Sequence, residues 1–149
     1  MAELSTQKAV LGWREWVSLP ELGIRLVKAK IDTGARSSAL HAYTIDPYFI
    51  GGQRWIMFAI HPKQKHRNIS IECHAPVKDR RIVTDSGGHK QRRYVIETDI
   101  LLGQSLIRTE VTLTNRDTML FRMLLGRTTI DNRYIIDPGA SYLQGKPGM

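Results

Sequence analysis

Residues 24–35, with the sequence IRLVKAKIDTGA, carry the strongest indication of fold and chemistry in this chain. Apolar and charged residues alternate from Ile24 to Ile31, which is the period of a strand with one buried face. The strand runs into Asp32-Thr33-Gly34 and then Ala35. An acid, a small hydroxyl residue and a glycine after a strand can present one carboxylate on a tight, hydrogen-bonded loop. Such a triplet is either an ordinary turn or half of a catalytic pair of carboxylates.

The composition predicts one globular domain. With 149 residues, 42% of them hydrophobic, the chain can form a real core but hardly two domains. We expect residues 1–149 to form a single domain, with an ordered core over about 8–143 and a mobile tail over 144–149. Cys73 is the only cysteine, which excludes an intrachain disulfide and favours a reducing compartment. Met1–Lys8 lacks the apolar segment of a signal peptide, so the sequence predicts a cytoplasmic protein.

The charge balance is basic, with 22 Lys and Arg against 14 Asp and Glu. The basic residues cluster in Lys63–Arg67, Lys78–Arg81 and Lys90–Arg93. Such clusters are typical of solvated loops, and they also suit an acidic substrate or partner. Nucleic acid is a weaker alternative, since no exposed aromatic residues interleave with these clusters and no RNA-binding signature occurs. No apolar run approaches the roughly 18 residues of a membrane helix, so no membrane partner is expected.

Period-two alternation predicts about nine short strands and an all-β barrel or sandwich. Among the predicted strands are Val10–Leu19 and Ser38–Ile45. Residues 85–88 and 115–117 carry turn signals that predict two hairpins. The single predicted helical turn is Thr128–Arg133, near the C-terminus.

Two further segments strengthen the catalytic interpretation of Asp32. Leu124-Leu125-Gly126 ends a strand, and it can pass beneath the Asp32 loop and support it. Ser86-Gly87-Gly88 tips a hairpin that could close over a bound peptide. Taken alone, the first segment is better explained as an ordinary strand end, and the second is equally compatible with a plain surface hairpin.

In this order, the three elements resemble those of the retropepsins, the single-domain aspartic peptidases typified by retroviral proteases. Asp32-Thr33-Gly34-Ala35 resembles the catalytic loop of that family, and Leu124-Leu125-Gly126-Arg127 resembles its supporting segment. The resemblance implies a closed β-barrel with one short helix near the C-terminus, Asp32, Thr33 and Gly34 as catalytic residues, and a homodimer. It further implies a substrate-binding set made of Ala35, Arg36, Ser86, Gly87, Gly88 and Arg127.

Residues 28–42, with the sequence KAKIDTGARSSALHA, are most similar to a bacterial group of retropepsin-like proteins labelled "putative ATP-dependent zinc protease". That group is associated with ATP-grasp glutamate ligases, so the resemblance implies such a ligase as a partner. The label itself has no support in the residues, because the chain has neither a phosphate-binding Gly-Lys-Ser/Thr loop nor a His-Glu-x-x-His motif. We predict no metal and no cofactor; a zinc site built from scattered histidines stays an alternative.

Arg36 departs from the retroviral pattern, which has an acid after Asp-Thr-Gly-Ala. Arg127 therefore needs another partner, for which Asp131 and Asp137 are candidates. A basic residue beside the loop favours acidic or glutamate-rich peptides as substrates.

Three function classes follow. The first is a homodimeric aspartic endopeptidase with one catalytic Asp32 per chain. The second is a catalytically inactive binding module of the same fold for an acidic protein partner. The third, least favoured, is a nucleic-acid binder.

Overall fold

Twelve β-strands and one short α-helix are present in the computed structural model, which describes residues 8–63, 69–84, 87–115 and 120–148. The strands are β1 (Ala9–Leu11), β2 (Arg14–Leu19), β3 (Ile24–Ile31), β4 (Ser38–His41), β5 (Thr44–Ile50), β6 (Gln53–Ile60), β7 (Ile71–Pro76), β8 (Asp79–Thr84), β9 (Lys90–Leu102), β10 (Ser105–Thr114), β11 (Met123–Leu125) and β12 (Tyr134–Ile136). A 3₁₀ turn covers Pro20–Leu22, and helix α1 covers Arg127–Ile130. No helix in these ranges is long and apolar enough to cross a bilayer.

Six strands close into a barrel. Their order is β10, β4, β11, β3, β2 and β9, and β9 also pairs with β10, which completes the ring. Strand β8 lies outside this ring and forms a hairpin with β9, in which it pairs with residues 90–95. The predicted closed β-barrel with one short helix near the C-terminus is confirmed.

Two of the predicted strands are wrong, because each divides. The predicted Val10–Leu19 strand breaks at Gly12, where β1 leaves to pair with β12 and β2 joins the barrel. Gly12 packs so closely on the Ala140 carbonyl oxygen that a Cβ there would lie 2.2 Å from it. The predicted Ser38–Ile45 strand likewise ends at His41, and β5 pairs with β6 in a separate sheet.

The hairpin predicted around residues 115–117 is also wrong. β4 lies between β10 and β11, pairing parallel with β10 and antiparallel with β11. The predicted turn residues 116–117 lie outside the described residues. Barrel closure overrides the local turn signal, because the earlier strand β4 supplies the hydrogen-bonding edges that pair with β10 and with β11. The helix is also shorter than predicted and begins one residue earlier, at Arg127.

One hydrophobic core joins the barrel to the three-stranded sheet β5–β6–β7. Leu40, Ile96 and Met123 are fully buried from the barrel side, and Ile56 and Phe58 from the β6 side. Because both sheets share this core, the described residues fold as a single small domain.

Candidate active site

Hydrogen bonds donated by its own backbone N–H groups hold the Asp32 loop in place. The Asp32 N–H continues the sheet by donating to the Leu125 carbonyl at 2.9 Å. The Gly34 N–H donates to Asp32 Oδ1 at 3.1 Å, and the Ala35 N–H donates to the Asp32 carbonyl at 3.2 Å. Asp32 is half-buried, whereas Thr33 and Gly34 are exposed. The loop thus orients one carboxylate and leaves it within reach of solvent.

Residues 126–128, which follow β11, hold the Asp32 loop in place through hydrogen bonds. The Arg127 N–H donates to the Ala35 carbonyl and the Thr128 N–H to the Arg36 carbonyl, both at 2.9 Å. The Gly126 N–H donates to the Ser38 hydroxyl at 3.1 Å. β11 itself runs parallel to β3, with Leu125 opposite Ile31. The structure therefore brings the two sequence segments 32–36 and 124–127 into direct hydrogen-bonded contact.

Gly126→Ala should disrupt this brace. A Cβ at Gly126 would lie 2.4 Å from the Ser37 carbonyl oxygen and 2.9 Å from that of Arg36, and neither backbone oxygen can move freely. We expect a loss of about 2–3 kcal/mol in the free energy of unfolding, measured by urea denaturation. Gly148→Ala is the matched control, since no atom lies within 4 Å of its added Cβ. Equal stability of the two variants would contradict the close packing.

Arg127 makes a contact other than the expected one. Its guanidinium donates to the Thr33 carbonyl at 3.0 Å. In the described residues it forms no ion pair with Asp131 or Asp137, so both candidate partners are wrong. A guanidinium suits this position because it can reach across from α1 and bind the outer turn of the Asp32 loop.

The glycine-tipped hairpin is formed by β8 and β9, and its tip includes Gly87 and Gly88. Gly88 has φ +83°, a conformation that favours glycine, and both residues are exposed. Ser86 lies outside the described residues. The predicted hairpin pairing is present, with Thr84 opposite Lys90.

Ion pairs anchor the base of that hairpin. Arg81 on β8 donates twice to Glu110 on β10, at 2.6 and 3.0 Å, and Lys78 bridges Glu110 and Glu97. The Arg81 hydrogen bonds, followed by those of Lys78, hold the pKa of Glu110 at about 2. The predicted basic cluster Lys78–Arg81 thus contains paired cations of a surface network rather than a free binding patch.

Sequence reasoning missed a groove whose lining includes Lys30, two residues before Asp32. It has a volume of about 320 Å³ and is lined by Trp13, Lys30, Leu120, Phe121 and Leu124. Lys30 lies opposite Leu124 in the sheet. The alternation Lys28, Lys30, Asp32 was the available signal, because every second residue of a strand faces the same side.

Outside the three predicted basic clusters, half-buried aromatic rings lie against basic residues. The Arg14 guanidinium lies 4.6 Å from the ring centre of Trp13 and 4.9 Å from that of Tyr142. Lys28 lies over Trp16, at 5.1 Å. These cations are covered by rings of their own chain, which reduces their availability to a partner.

The described residues give little support to a metal site or to a cysteine nucleophile. No group of three or more His, Cys, Asp or Glu side chains there is placed to hold a metal ion. The Cys73 thiol is buried, and this burial, with a smaller effect from Glu72, raises its pKa to about 12. Such a thiol is a poor nucleophile at neutral pH.

A closed six-stranded barrel that carries a strand-ending Asp-Thr-Gly loop, braced by Leu-Leu-Gly-Arg, defines a retropepsin-like protein. Residues 10–147 match the RimB-like family, described as "Retropepsin-like aspartic endopeptidase RimB". The chain belongs to this family.

Similar proteins include a "Probable alpha-L-glutamate ligase" of Shewanella pealeana, 42% identical over 145 residues, which are 97% of this chain and 32% of that protein. A protein of the same name from Parasynechococcus marenigrum is 43% identical over 140 residues, covering 94% of this chain and 30% of that protein. The chain thus spans about a third of the length of these relatives. A crystal structure of a Legionella pneumophila protein of unknown function superposes with a TM-score of 0.76 at 26% identity, covering 93% of this chain and 99% of that one.

Proposed function

We propose that this chain is an aspartic endopeptidase that acts as a homodimer on acidic or glutamate-rich polypeptides. The main support is the Asp32 loop: a carboxylate oriented by the Gly34 N–H, held between β3 and β11, and open to solvent. A turn that served only to reverse the chain would not need this bracing from a distant segment.

The proposed reaction needs two carboxyl groups that share one proton. The ionised carboxylate takes a proton from water, and the water oxygen attacks the peptide carbonyl carbon. The protonated carboxyl donates its proton to the carbonyl oxygen, which gives a tetrahedral gem-diol. The carboxyl that took the water proton then donates it to the amide nitrogen, and the other carboxylate takes back a hydroxyl proton as the C–N bond breaks. Two carboxyls about 3 Å apart divide these roles, because both cannot readily be charged at that separation.

One chain supplies only one Asp-Thr-Gly loop. A two-fold axis through the site would bring Asp32 of a second copy opposite the first and complete the pair. In this dimer we expect the Thr33 hydroxyl, on an exposed residue next to Asp32, to bond the partner's loop. The dimer is therefore part of the proposed mechanism.

The acidic substrate class is supported by charge and by the relatives. Arg36 is exposed directly after the Asp32 loop and forms no ion pair within the described residues. The chain carries a formal net charge of +8. The curated relatives of which it matches a third are named for ligation of α-L-glutamate. We therefore propose that its substrates are glutamate-bearing chains of the kind that such a ligase makes, and that an ATP-grasp ligase is its functional partner.

Arg36→Glu should weaken cleavage of acidic peptides selectively. Reversing an exposed charge beside the site replaces attraction by repulsion, and we expect kcat/KM to fall about 5- to 10-fold for an acidic peptide and little for a neutral one. Arg25→Glu is the matched control, because Arg25 is also an exposed arginine and lies at the far end of β3. An equal loss on acidic and neutral peptides would contradict the proposed role of Arg36.

The activity itself can be tested with purified protein and glutamate-rich peptides. Mass spectrometry should find internal cleavage products, and the activity per chain should rise with protein concentration if the dimer dissociates in the working range. Peptides that stay intact at every concentration would count against the proposal.

A binding module for acidic partners is the second candidate. Its specific support is that the relatives are named as ligases, of which this domain is one third. In that case the chain would bind acidic peptides as a monomer and cleave none. Sedimentation at micromolar concentration, together with the cleavage assay, distinguishes the two functions.

A further inference from the structure

A second cation stands beside the proposed catalytic carboxylate, in the groove that sequence reasoning missed. Lys30 precedes Asp32 by two residues, which places the two Cα atoms roughly 6.5–7 Å apart along the strand. Ala29 and Ile31 are buried, so Lys30 and Asp32 point to the opposite, outer side. The Lys30 wall of the groove therefore lies next to the Asp32 loop, on the same face of the strand.

Apolar surface surrounds this cation. Trp13 and Phe121 form an edge-to-face pair with ring centres 5.7 Å apart, and Leu124 lies opposite Lys30 on the neighbouring strand. With Leu120 these residues make up the remaining lining of the groove. The lining thus combines one ammonium group with walls of rings and aliphatic chains.

The neighbouring cations on the same face are already engaged. Arg14, directly opposite Lys30 on β2, stacks on Trp13 and Tyr142 and donates to the Ser141 hydroxyl at 3.1 Å. Lys28 covers Trp16. Lys30, by contrast, forms no ion pair, hydrogen bond or ring contact within the described residues. Its charge is thus available to a ligand.

Apolar walls with one ammonium group match a side chain that has a short aliphatic stem and a terminal carboxylate. Glutamate has two methylene groups for the walls and an anion for Lys30. Glutamine has the same shape without the charge, and it would leave the ammonium group without a counter-ion. An uncharged apolar side chain would fill the groove, but it would remove water from the Lys30 ammonium group without supplying a counter-charge.

We propose that this groove holds the side chain of a glutamate next to the scissile peptide bond, and that the Lys30 ammonium pairs with its carboxylate. This inference rests on the proposed peptidase function and adds a specificity-determining residue to it. Lys30 acts within the groove before the Asp32 loop, whereas Arg36 lies on the exposed surface after it.

The test uses fluorescein-labelled octapeptides of alanine and serine with one central glutamate, and the same peptides with glutamine at that position. The protein variants are Lys30→Met, which keeps the length of the side chain without its charge, and Lys28→Met as the matched control on the same strand face. Cleavage is measured as kcat/KM with the cleaved bond mapped by mass spectrometry. Binding is measured by fluorescence anisotropy in the Asp32→Asn background, where no cleavage is expected.

We expect about a 10-fold preference for glutamate over glutamine with Lys30 present, as for a charge-assisted hydrogen bond. The preference should fall below about 2-fold in Lys30→Met and persist in Lys28→Met. The mapped cleavage should lie at the peptide bond beside the glutamate. An unchanged preference in Lys30→Met, or an equal loss in Lys28→Met, would overturn the proposal, as would failure to bind either peptide.

The two readouts separate this inference from the function on which it rests. Lys30-dependent preference in binding without any cleavage would refute the peptidase proposal and retain the glutamate groove. Cleavage with no Lys30-dependent preference would retain the peptidase and refute the groove.

Discussion

Asp32→Asn should abolish peptide cleavage while the fold remains intact. An amide cannot take a proton from water at neutral pH, so the acid–base pair would lose its base, and we expect kcat/KM to fall by at least about 1000-fold. Within the part of the chain that the structure describes, the one hydrogen bond of the Asp32 side chain is accepted from the Gly34 N–H, and the asparagine Oδ1 can still accept it. Thermal unfolding and circular dichroism should therefore match the unsubstituted protein.

Mixing the two forms tests whether the carboxylates come from two chains. If subunits exchange freely, an equal mixture should contain about one quarter of dimers with two Asp32 residues, and activity should fall to about that fraction. Activity proportional to the unsubstituted chain, at one half, would mean that each chain works alone. Full activity of Asp32→Asn would refute the proposed mechanism altogether.

Glu15→Ala should cause the largest loss of stability. The Glu15 side chain is fully buried, and its carboxylate accepts the N–H groups of Gly12, Leu143 and Gln144 at 2.7, 3.0 and 3.0 Å. Removal leaves one buried and two partly buried backbone donors without this acceptor, at a cost of about 3–5 kcal/mol in the free energy of unfolding. For a chain of this size the melting temperature should fall by roughly 6–20 °C.

Glu21→Ala is the control for loss of a carboxylate. Glu21 is half-exposed and pairs with Arg108 at the surface, a contact worth at most about 1 kcal/mol. Glu15→Gln should lie between the two, since its amide keeps one acceptor oxygen. Equal melting temperatures for Glu15→Ala and Glu21→Ala would contradict the role of Glu15 as the acceptor that fixes residues 143–144 to β2.

Local patterns were sufficient for the fold class and for many of the individual strands. The alternation from Ile24 to Ile31 matches β3, and the turn signal at Gly87-Gly88 lies between the paired strands β8 and β9. Both features depend on residues close in sequence, so the sequence contains the necessary information. The hairpin at residues 115–117 failed as a prediction because a turn signal does not determine whether a third strand, here β4, enters between two neighbours.

The candidate site also combines features that the local sequence determines with features that depend on the tertiary fold. The sequence by itself determined that Asp32 ends a strand with Gly34 beside it, because the bond from the Gly34 N–H to Asp32 Oδ1 spans two residues. Only the tertiary structure decided that Gly126 and Arg127 brace that loop, that Glu15 accepts N–H groups from residues 143 and 144, and that Lys30 faces Trp13 and Phe121 in one groove. Except for Lys30 and Trp13, those contacts join residues about 90 to 130 positions apart. Which side chains meet depends on barrel closure and strand register, which period-two patterns leave open.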